Sequence, residues 1–305
     1  MAALIEAQNL TRAYGSRRGI ESVSLSVPEG SLYGFLGPNG AGKTTTIRVL
    51  LGFLRPTSGA ARVFGRDCWR ESPKIKEEVG YIPGDLRLYP WMNGTSALAM
   101  VGGVRGRDLM GAGRELAREF DLDLKVRVRE MSRGMRQKLG IILALAHRPR
   151  LLVLDEPTSG LDPLVQEQFR ALLRAFTKEG RTVFFSSHTL SEVEQLCDRV
   201  AIVKDGKLVV DEPLESLRRR AGHEVTVRWR DGAAMASVQP PAFFSVQRRD
   251  GGVWSGTLEG PVDELVRWLA RHQVEELEVT RPDLERLFRR FYEHERTPDG
   301  PGGRA

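Results

Sequence analysis

An α/β domain built on a mostly parallel sheet, followed by a much smaller α+β domain, is the organisation this sequence predicts. Three observations lead there. Up to about Glu215, short apolar runs alternate with helix-length stretches and Gly-rich turns, the texture of strand–helix–strand units. Three of those runs end in chemically loaded loops: Ser31 to Leu36 leads into a glycine loop, Leu151 to Leu154 into Asp155-Glu156, and Thr182 to Phe185 into Ser186-Ser187-His188. After Arg218-Arg219-Arg220 the texture changes to alternating runs joined by Asp-Gly turns. The expected boundaries are 1–217 for the first domain and 218–295 for the second, with a Pro/Gly-rich tail, 296–305, expected to be disordered.

The composition bounds the function. A chain of 305 residues with 41% hydrophobic and 28% charged residues can bury two cores. The longest apolar candidate for a membrane span, Leu139 to Ala146, stops at His147-Arg148-Pro149, far short of the ~20 residues a helix needs. Any membrane role therefore passes through a partner. The run Ala2-Ala3-Leu4-Ile5 ends at Glu6 with no basic residue before it, unlike a secretory leader, so cytoplasmic residence is expected. Cys68 and Cys197 have no metal-ligand spacing around them and read as reduced structural thiols. The net charge of +6 is spread along the chain, and nucleic-acid binding, which needs a clustered face, is not expected.

In the second domain, Val225 to Trp229, Phe243 to Arg248 and Val253 to Leu258 read as strands. A helix from Pro261 to about His272, a strand from Val274 to Val279 and a last helix from Pro282 to His294 complete it. The helices carry apolar stripes (Val262, Leu265, Trp268, Leu269; Leu284, Leu287, Phe288, Phe291) that pack their own core, and no catalytic residue stands out.

The chemistry sits in the first domain. Gly37-Pro38-Asn39-Gly40-Ala41-Gly42-Lys43-Thr44, with Thr45 next, matches the phosphate-binding pattern G-x-x-x-x-G-K-[ST]. Glycines let successive N–H groups turn inward around phosphates, and the helix starting near Lys43 adds its positive end. Lys43 supplies an ammonium to the outer phosphates, and the Thr44 hydroxyl suits Mg²⁺. The four apolar residues Leu151 to Leu154 indicate a strand buried on both faces that delivers Asp155 and Glu156 to its polar end. Asp155 can hold Mg²⁺ through its water shell, and Glu156 is placed to polarise the attacking water as general base. Ligands bind outside the carboxyl ends of strands in open α/β sheets, so the three loops should converge on one site.

Together with Met131-Ser132-Arg133-Gly134-Met135, Arg136-Gln137-Lys138, Ser159-Gly160-Leu161-Asp162 and His188, these segments resemble an ABC ATPase over roughly positions 4 to 215. They stand in that family's order: Walker A, signature, Walker B, D-loop, switch histidine. The resemblance implies an ABC-type P-loop NTPase domain with a helical subdomain, using ATP and Mg²⁺. It implies that Tyr14 stacks on adenine and that His188 holds the γ-phosphate and attacking water. Ser132, Arg133 and Gly134 would face the ATP bound by a second copy of the domain, and Asp162 would cross that interface. A GTPase would need Asn/Thr-Lys-x-Asp, and the nearest stretch, Thr177-Lys178-Glu179-Gly180, lacks the final acid.

The chain departs from the family pattern twice. Arg133 replaces the first of two glycines after the signature serine, so it either adds a phosphate contact or points into solvent. After Val79-Gly80-Tyr81-Ile82-Pro83 stands Gly84 instead of glutamine, with Asp85 next. Asp85 either reaches the metal through a water, if the loop shifts by one residue, or caps a turn. Thr45 to Met131 contains neither the heptads of chromosome-organising relatives nor cysteine pairs of zinc modules, and one cassette is present where translation-factor relatives carry two. The expectation is therefore an ATP-hydrolysing transporter subunit peripheral to the cytoplasmic face of the cell membrane, paired with a permease on a separate chain. The C-terminal run Pro282-Asp283-Leu284-Glu285-Arg286-Leu287-Phe288 is similar to that of bacterial drug and antibiotic exporter ATPases, which favours export. The alternative is a soluble ABC ATPase acting on nucleic acid or translation.

Overall fold

The computed structural model describes residues 3–15, 17–231, 238–280 and Phe288. The last helix expected from Pro282, apart from Phe288, and the tail expected to be disordered lie outside the described residues. The chain divides into two compact units, Met1–Glu212 and Pro213–Ala305.

In the first unit the strand leading to each loaded loop is largely apolar, and each is buried throughout: β3 (Leu32–Leu36), β7 (Leu151–Asp155) and β8 (Thr182–Ser187). Burial on both faces is what continuous apolar runs in a parallel sheet require. With β6 (Val79–Ile82), β9 (Arg199–Lys204) and β10 (Lys207–Pro213) they form a six-stranded sheet in the order β10-β9-β3-β8-β7-β6. The pairs β9/β3, β3/β8, β8/β7 and β7/β6 are parallel. The loaded loops thus leave three adjacent strands at the same edge of the sheet. A second sheet, β2-β1-β4-β5, joins β1 (Ala3–Tyr14) antiparallel to β2 (Arg17–Pro28) and to β4 (Ser58–Val63), with β5 (Arg66–Asp67) beyond. Between the sheets, Tyr33 and Phe35 pack on Phe184 with ring centroids 5.7 and 5.3 Å apart, amid Ile5, Leu10, Ile20 and Ile47.

Helices connect these strands. α1 (Lys43–Leu50) follows the glycine loop, and α2 (Ser72–Glu77) precedes β6. Between β6 and β7 lie α3 (Gly94–Arg105), α4 (Met110–Glu119), a 3₁₀ turn at Val128–Glu130 and α5 (Arg133–Leu145), a mutually packed helical segment. α3 begins at a reciprocal cap, in which Asn93 and Ser96 each accept from the other's backbone N–H. Arg105 ties the far end of α3 to the end of α2 and the start of β6 by donating to the carbonyls of Lys76, Glu77 and Val79. α6 (Pro163–Lys178) buries Val165, Phe169, Leu173 and Phe176, one stripe at helical spacing, and α7 (Leu190–Leu196) follows β8. Cys68 and Cys197 are buried and free, and burial pushes the Cys68 thiol up to about 12. Among the described residues no helix is long and apolar enough to cross a membrane.

The second unit opens with α8 (Leu214–Ala221) and continues as a four-stranded antiparallel sheet, β12-β13-β11-β14. Its strands are β11 (His223–Trp229), β12 (Phe244–Asp250), β13 (Val253–Leu258) and β14 (Val274–Thr280). α9 (Val262–Leu269) buries Leu265 and Leu269, shorter than the helix expected to about His272. Trp229, Trp254 and Trp268 lie in mutual contact, with centroids 5.2 to 6.5 Å apart, at the centre of this core.

Candidate active site

The three loops meet, and their side chains are bonded to one another. After β3 the tip of the glycine loop, Pro38 to Gly40, is exposed, while Ala41, Gly42 and Lys43 are buried. Gly42 caps α1 at φ 105°, a left-handed conformation costly for any residue with a Cβ. A Cβ there would also lie 2.7 Å from the Ile20 side chain and 2.8 Å from the Gly19 carbonyl. Lys43, 5% exposed, folds back over the loop and donates to the carbonyls of Gly37 and Pro38 at 2.6 and 3.1 Å. Its Nζ also lies 3.3 Å from Glu156 Oε1. The other Glu156 oxygen faces His188 Nδ1 at 3.3 Å, so one carboxylate bridges the lysine and the histidine.

Asp155 is 2% exposed. It accepts from the Thr44 hydroxyl at 2.8 Å and from Ser186 Oγ at 2.6 Å, which satisfies both oxygens of a buried carboxylate. Sequence reasoning had given Ser186 no role. The available signal was a hydroxyl residue closing an otherwise apolar buried strand. The nearby Tyr81 hydroxyl is pushed up to about 12, by burial first and then by Asp155. Glu156 takes a φ of 51°, rare for a residue with a side chain. The bond from its N–H to the Ser186 carbonyl, 3.1 Å, helps hold that backbone and so aims the carboxylate between Lys43 and His188.

A hydroxyl and a carboxylate in direct contact form a hard-oxygen pair, which suits Mg²⁺ when phosphates and water supply the remaining ligands. Thr45 is half-buried beside Thr44. Tyr14 ends β1 with 42% of its surface exposed and the Arg12 guanidinium 5.1 Å from its ring centroid, so it is not a core tyrosine.

Ser132, Arg133, Gly134 and Asp162 form a second group. Ser132 caps α5, its Oγ accepting from Met135 N–H at 3.1 Å, and Asp162 caps α6 by accepting from Val165 N–H at 3.0 Å. Arg133 is exposed. It donates to Ser159 Oγ at 2.6 Å and lies across Gly160, where a Cβ would come within 3.1 Å of it. Gly134 also faces that loop, with the Gly160 carbonyl 3.2 Å from the position of a Cβ. Gln137, which the resemblance includes without a role of its own, reaches from α5 to the Pro157 carbonyl at 2.7 Å. None of these hydrogen bonds goes to the glycine loop.

Asp85 is paired with Arg87 at 2.7 Å, its side chain 75% exposed, and Gly84 takes no left-handed backbone. The Cβ direction at Gly84 faces Asp155, 3.6 Å from its Oδ2, so position 84 itself addresses the carboxylate and offers it no side chain. A cleft of about 630 Å³ begins at Gly84 and is lined by Arg87, Arg129, Arg133, Arg136 and Gln137 among others.

The ABC transporter family model matches residues 20–159. Bacitracin transport ATP-binding protein BcrA of Bacillus licheniformis is 40% identical over 223 residues, covering 72% of this chain and 73% of that one. Its namesake in Enterococcus faecalis is 34% identical over 287 residues, covering 89% and 90%, an extent that reaches into the second unit. The daunorubicin/doxorubicin resistance ATP-binding protein DrrA of Streptomyces peucetius is 36% identical over 242 residues, covering 77% and 73%. A solved ATP-binding subunit of an ABC transporter superposes with a TM-score of 0.67 at 29% identity, over 71% of this chain and 92% of that one. Bonded glycine-loop, carboxylate and histidine elements in an α/β cassette, and relatives matched over most of their length, place this chain in the ABC transporter family as an ATP-binding subunit, an ATPase.

Proposed function

We propose that this chain hydrolyses ATP between two copies of itself and so drives a separate transmembrane permease, working as an exporter from the cytoplasmic face of the membrane. The observation that carries the reading is the Glu156 carboxylate held between Lys43 and His188, beside the Thr44–Asp155 pair. Lys43 exchanges its loop carbonyls for the outer phosphates of ATP, and Tyr14 offers adenine an exposed ring. Released from Lys43, Glu156 keeps His188 as its neighbour and orients water at the γ-phosphate. Thr44 and, through water, Asp155 would hold Mg²⁺, which would supply neutralisation of the phosphate charge.

The second group of residues supports the two-copy arrangement, because Ser132, Arg133 and Asp162 bond to their own helix starts and to Ser159, away from their own glycine loop. A solved cassette of the same fold, 22% identical with a TM-score of 0.63, is a dimer in a post-hydrolysis state bound to ADP and Pi. The permease contact is assigned to the arginine-lined cleft at Gly84. Export follows the names of the relatives, which concern bacitracin transport and daunorubicin/doxorubicin resistance.

The test is Glu156→Gln. It should keep ATP affinity, reduce turnover about 100-fold or more, as loss of a general base does, and accumulate an ATP-bound dimer on size exclusion. Ordinary turnover by this variant refutes the role of Glu156. Recovery of the tagged chain with a multi-span membrane protein supports the transporter reading, whereas recovery with ribosomes or DNA supports the alternative.

A further inference from the structure

Two loops carry the candidate catalytic groups, and the backbone hydrogen bond described between them lies at the strand ends. Glu156 N–H donates to the Ser186 carbonyl, while the Ser187 carbonyl accepts from Gly37 of the glycine loop at 3.2 Å. Beyond those bonds the chains diverge, one through Pro157 and Thr158, the other through His188 and Thr189 into α7. Beside the direct contact of Glu156 with His188, the Glu192 side chain rejoins them. Glu192, in the first turn of α7, accepts from Thr158 Oγ1 at 2.6 Å through one oxygen and from Ser187 Oγ at 2.5 Å through the other. Thr158 stands two residues after Glu156, and Ser187 immediately precedes His188. Both hydroxyls are sequestered, Thr158 at 5% and Ser187 at 1% exposure, so neither has water as a ready substitute.

We infer that Glu192 is a positioning residue for hydrolysis: its carboxylate cross-links the loop after Glu156 to the loop bearing His188, and so sets the 3.3 Å separation of those two groups. This rests on the hydrolytic reading above. An acid in the first turn of a helix ordinarily serves that helix by facing its free N–H groups. Both of this one's side-chain bonds go instead to hydroxyls outside α7. Charge matters as well as shape, because only a carboxylate accepts on both oxygens. A glutamine at this place accepts from one hydroxyl and presents an NH₂ group to the other, which is itself a donor.

The experiment compares the full-length wild type with Glu192→Gln, Glu192→Ala, Thr158→Val and Glu156→Gln. Steady-state ATP hydrolysis is measured together with the ring resonances of His188 in chain labelled at histidine and assigned with His188→Gln. The clamp predicts that Glu192→Gln and Thr158→Val each lower kcat about tenfold, the effect of one lost charge-assisted hydrogen bond, with KM for ATP within about twofold of wild type because the glycine loop is untouched. It also predicts that His188 signals move in Glu192→Ala as they do in Glu156→Gln, a readout independent of turnover. Wild-type kcat in both single variants, unmoved His188 signals in Glu192→Ala, or equal losses in kcat and ATP affinity overturn the clamp. If Glu156→Gln itself turns over normally, the hydrolytic reading fails first. If only Glu156→Gln is impaired, that reading stands and the clamp alone falls.

Discussion

The two units of this chain are both mixed α and β, yet they place their polar groups in opposite ways. In Met1–Glu212 the sheet interior ends in buried charge: Lys43 and Asp155 lie almost out of solvent, tied to Thr44, Ser186 and loop carbonyls. In Pro213–Ala305 the described core is aromatic and aliphatic, built on Trp229, Trp254, Phe244, Leu258 and Leu265. The charges described there form exposed pairs such as Arg228–Glu276 and Arg248–Asp250. Exposed pairs contribute little, whereas a buried charge persists only where partners offset its desolvation. The first unit therefore carries stored polar interactions that a phosphate ligand can take over, and the described core of the second is held by apolar packing.

Lys43→Ala is the severest way to break that contrast. It removes the cation from the glycine loop and leaves Glu156 with one neighbour. ATP affinity should fall about 100-fold, the scale of a charge-assisted contact of up to about 3 kcal/mol, as read by calorimetric titration. Unchanged affinity would count against the loop's role.

Position 84 sharpens the comparison at finer scale. Gly84→Gln places an amide where the Cβ direction faces Asp155, and should lower the Mg²⁺ concentration for half-maximal turnover about fivefold, the scale of one net hydrogen bond. Asp85→Ala, which removes only the exposed pair with Arg87, should change turnover less than about twofold. A large loss in Asp85→Ala with no response to Gly84→Gln would reverse this assignment.

The smallest effect on the site is expected from the second unit. Trp254→Ala should destabilise that unit by about 3–5 kcal/mol, the usual result of truncating a buried aromatic. ATP affinity should stay within about twofold, because the substitution touches no group of the nucleotide site. Thermal unfolding followed beside ATP titration separates the two, and a coupled loss of binding would show that the units are not energetically independent.

How far the site was legible depended on the kind of information each residue carries. Lys43, Thr44, Asp155 and Glu156 could be read because their positions follow from strand ends, and parallel strands of one sheet deliver their ends to one edge. The contrast in texture between the units was legible for the same reason, since the period of apolar residues is local. The expected division after residue 217 and the observed units differ by five positions, for the turn from β10 into α8 carries no glycine to mark it. Arg133 was not legible, because its direction is set by Ser159 and Gly160, some 26 residues away. Tyr14 could be named as an aromatic, but its exposure came only with the folded hairpin of β1 and β2.

By itself, then, the sequence determined the fold class, the order of the phosphate-binding and hydrolytic elements, and the absence of a long apolar stretch, all of which are written in local spacing. Only the tertiary structure decided which way side chains face across elements: that Glu156 spans Lys43 and His188, that Gly84 rather than Asp85 addresses Asp155, and that Glu192 joins two loops. The physical reason is that a rotamer is chosen by whatever packs against it, and those neighbours come from segments tens to more than a hundred residues apart, as Thr44 and Asp155 are.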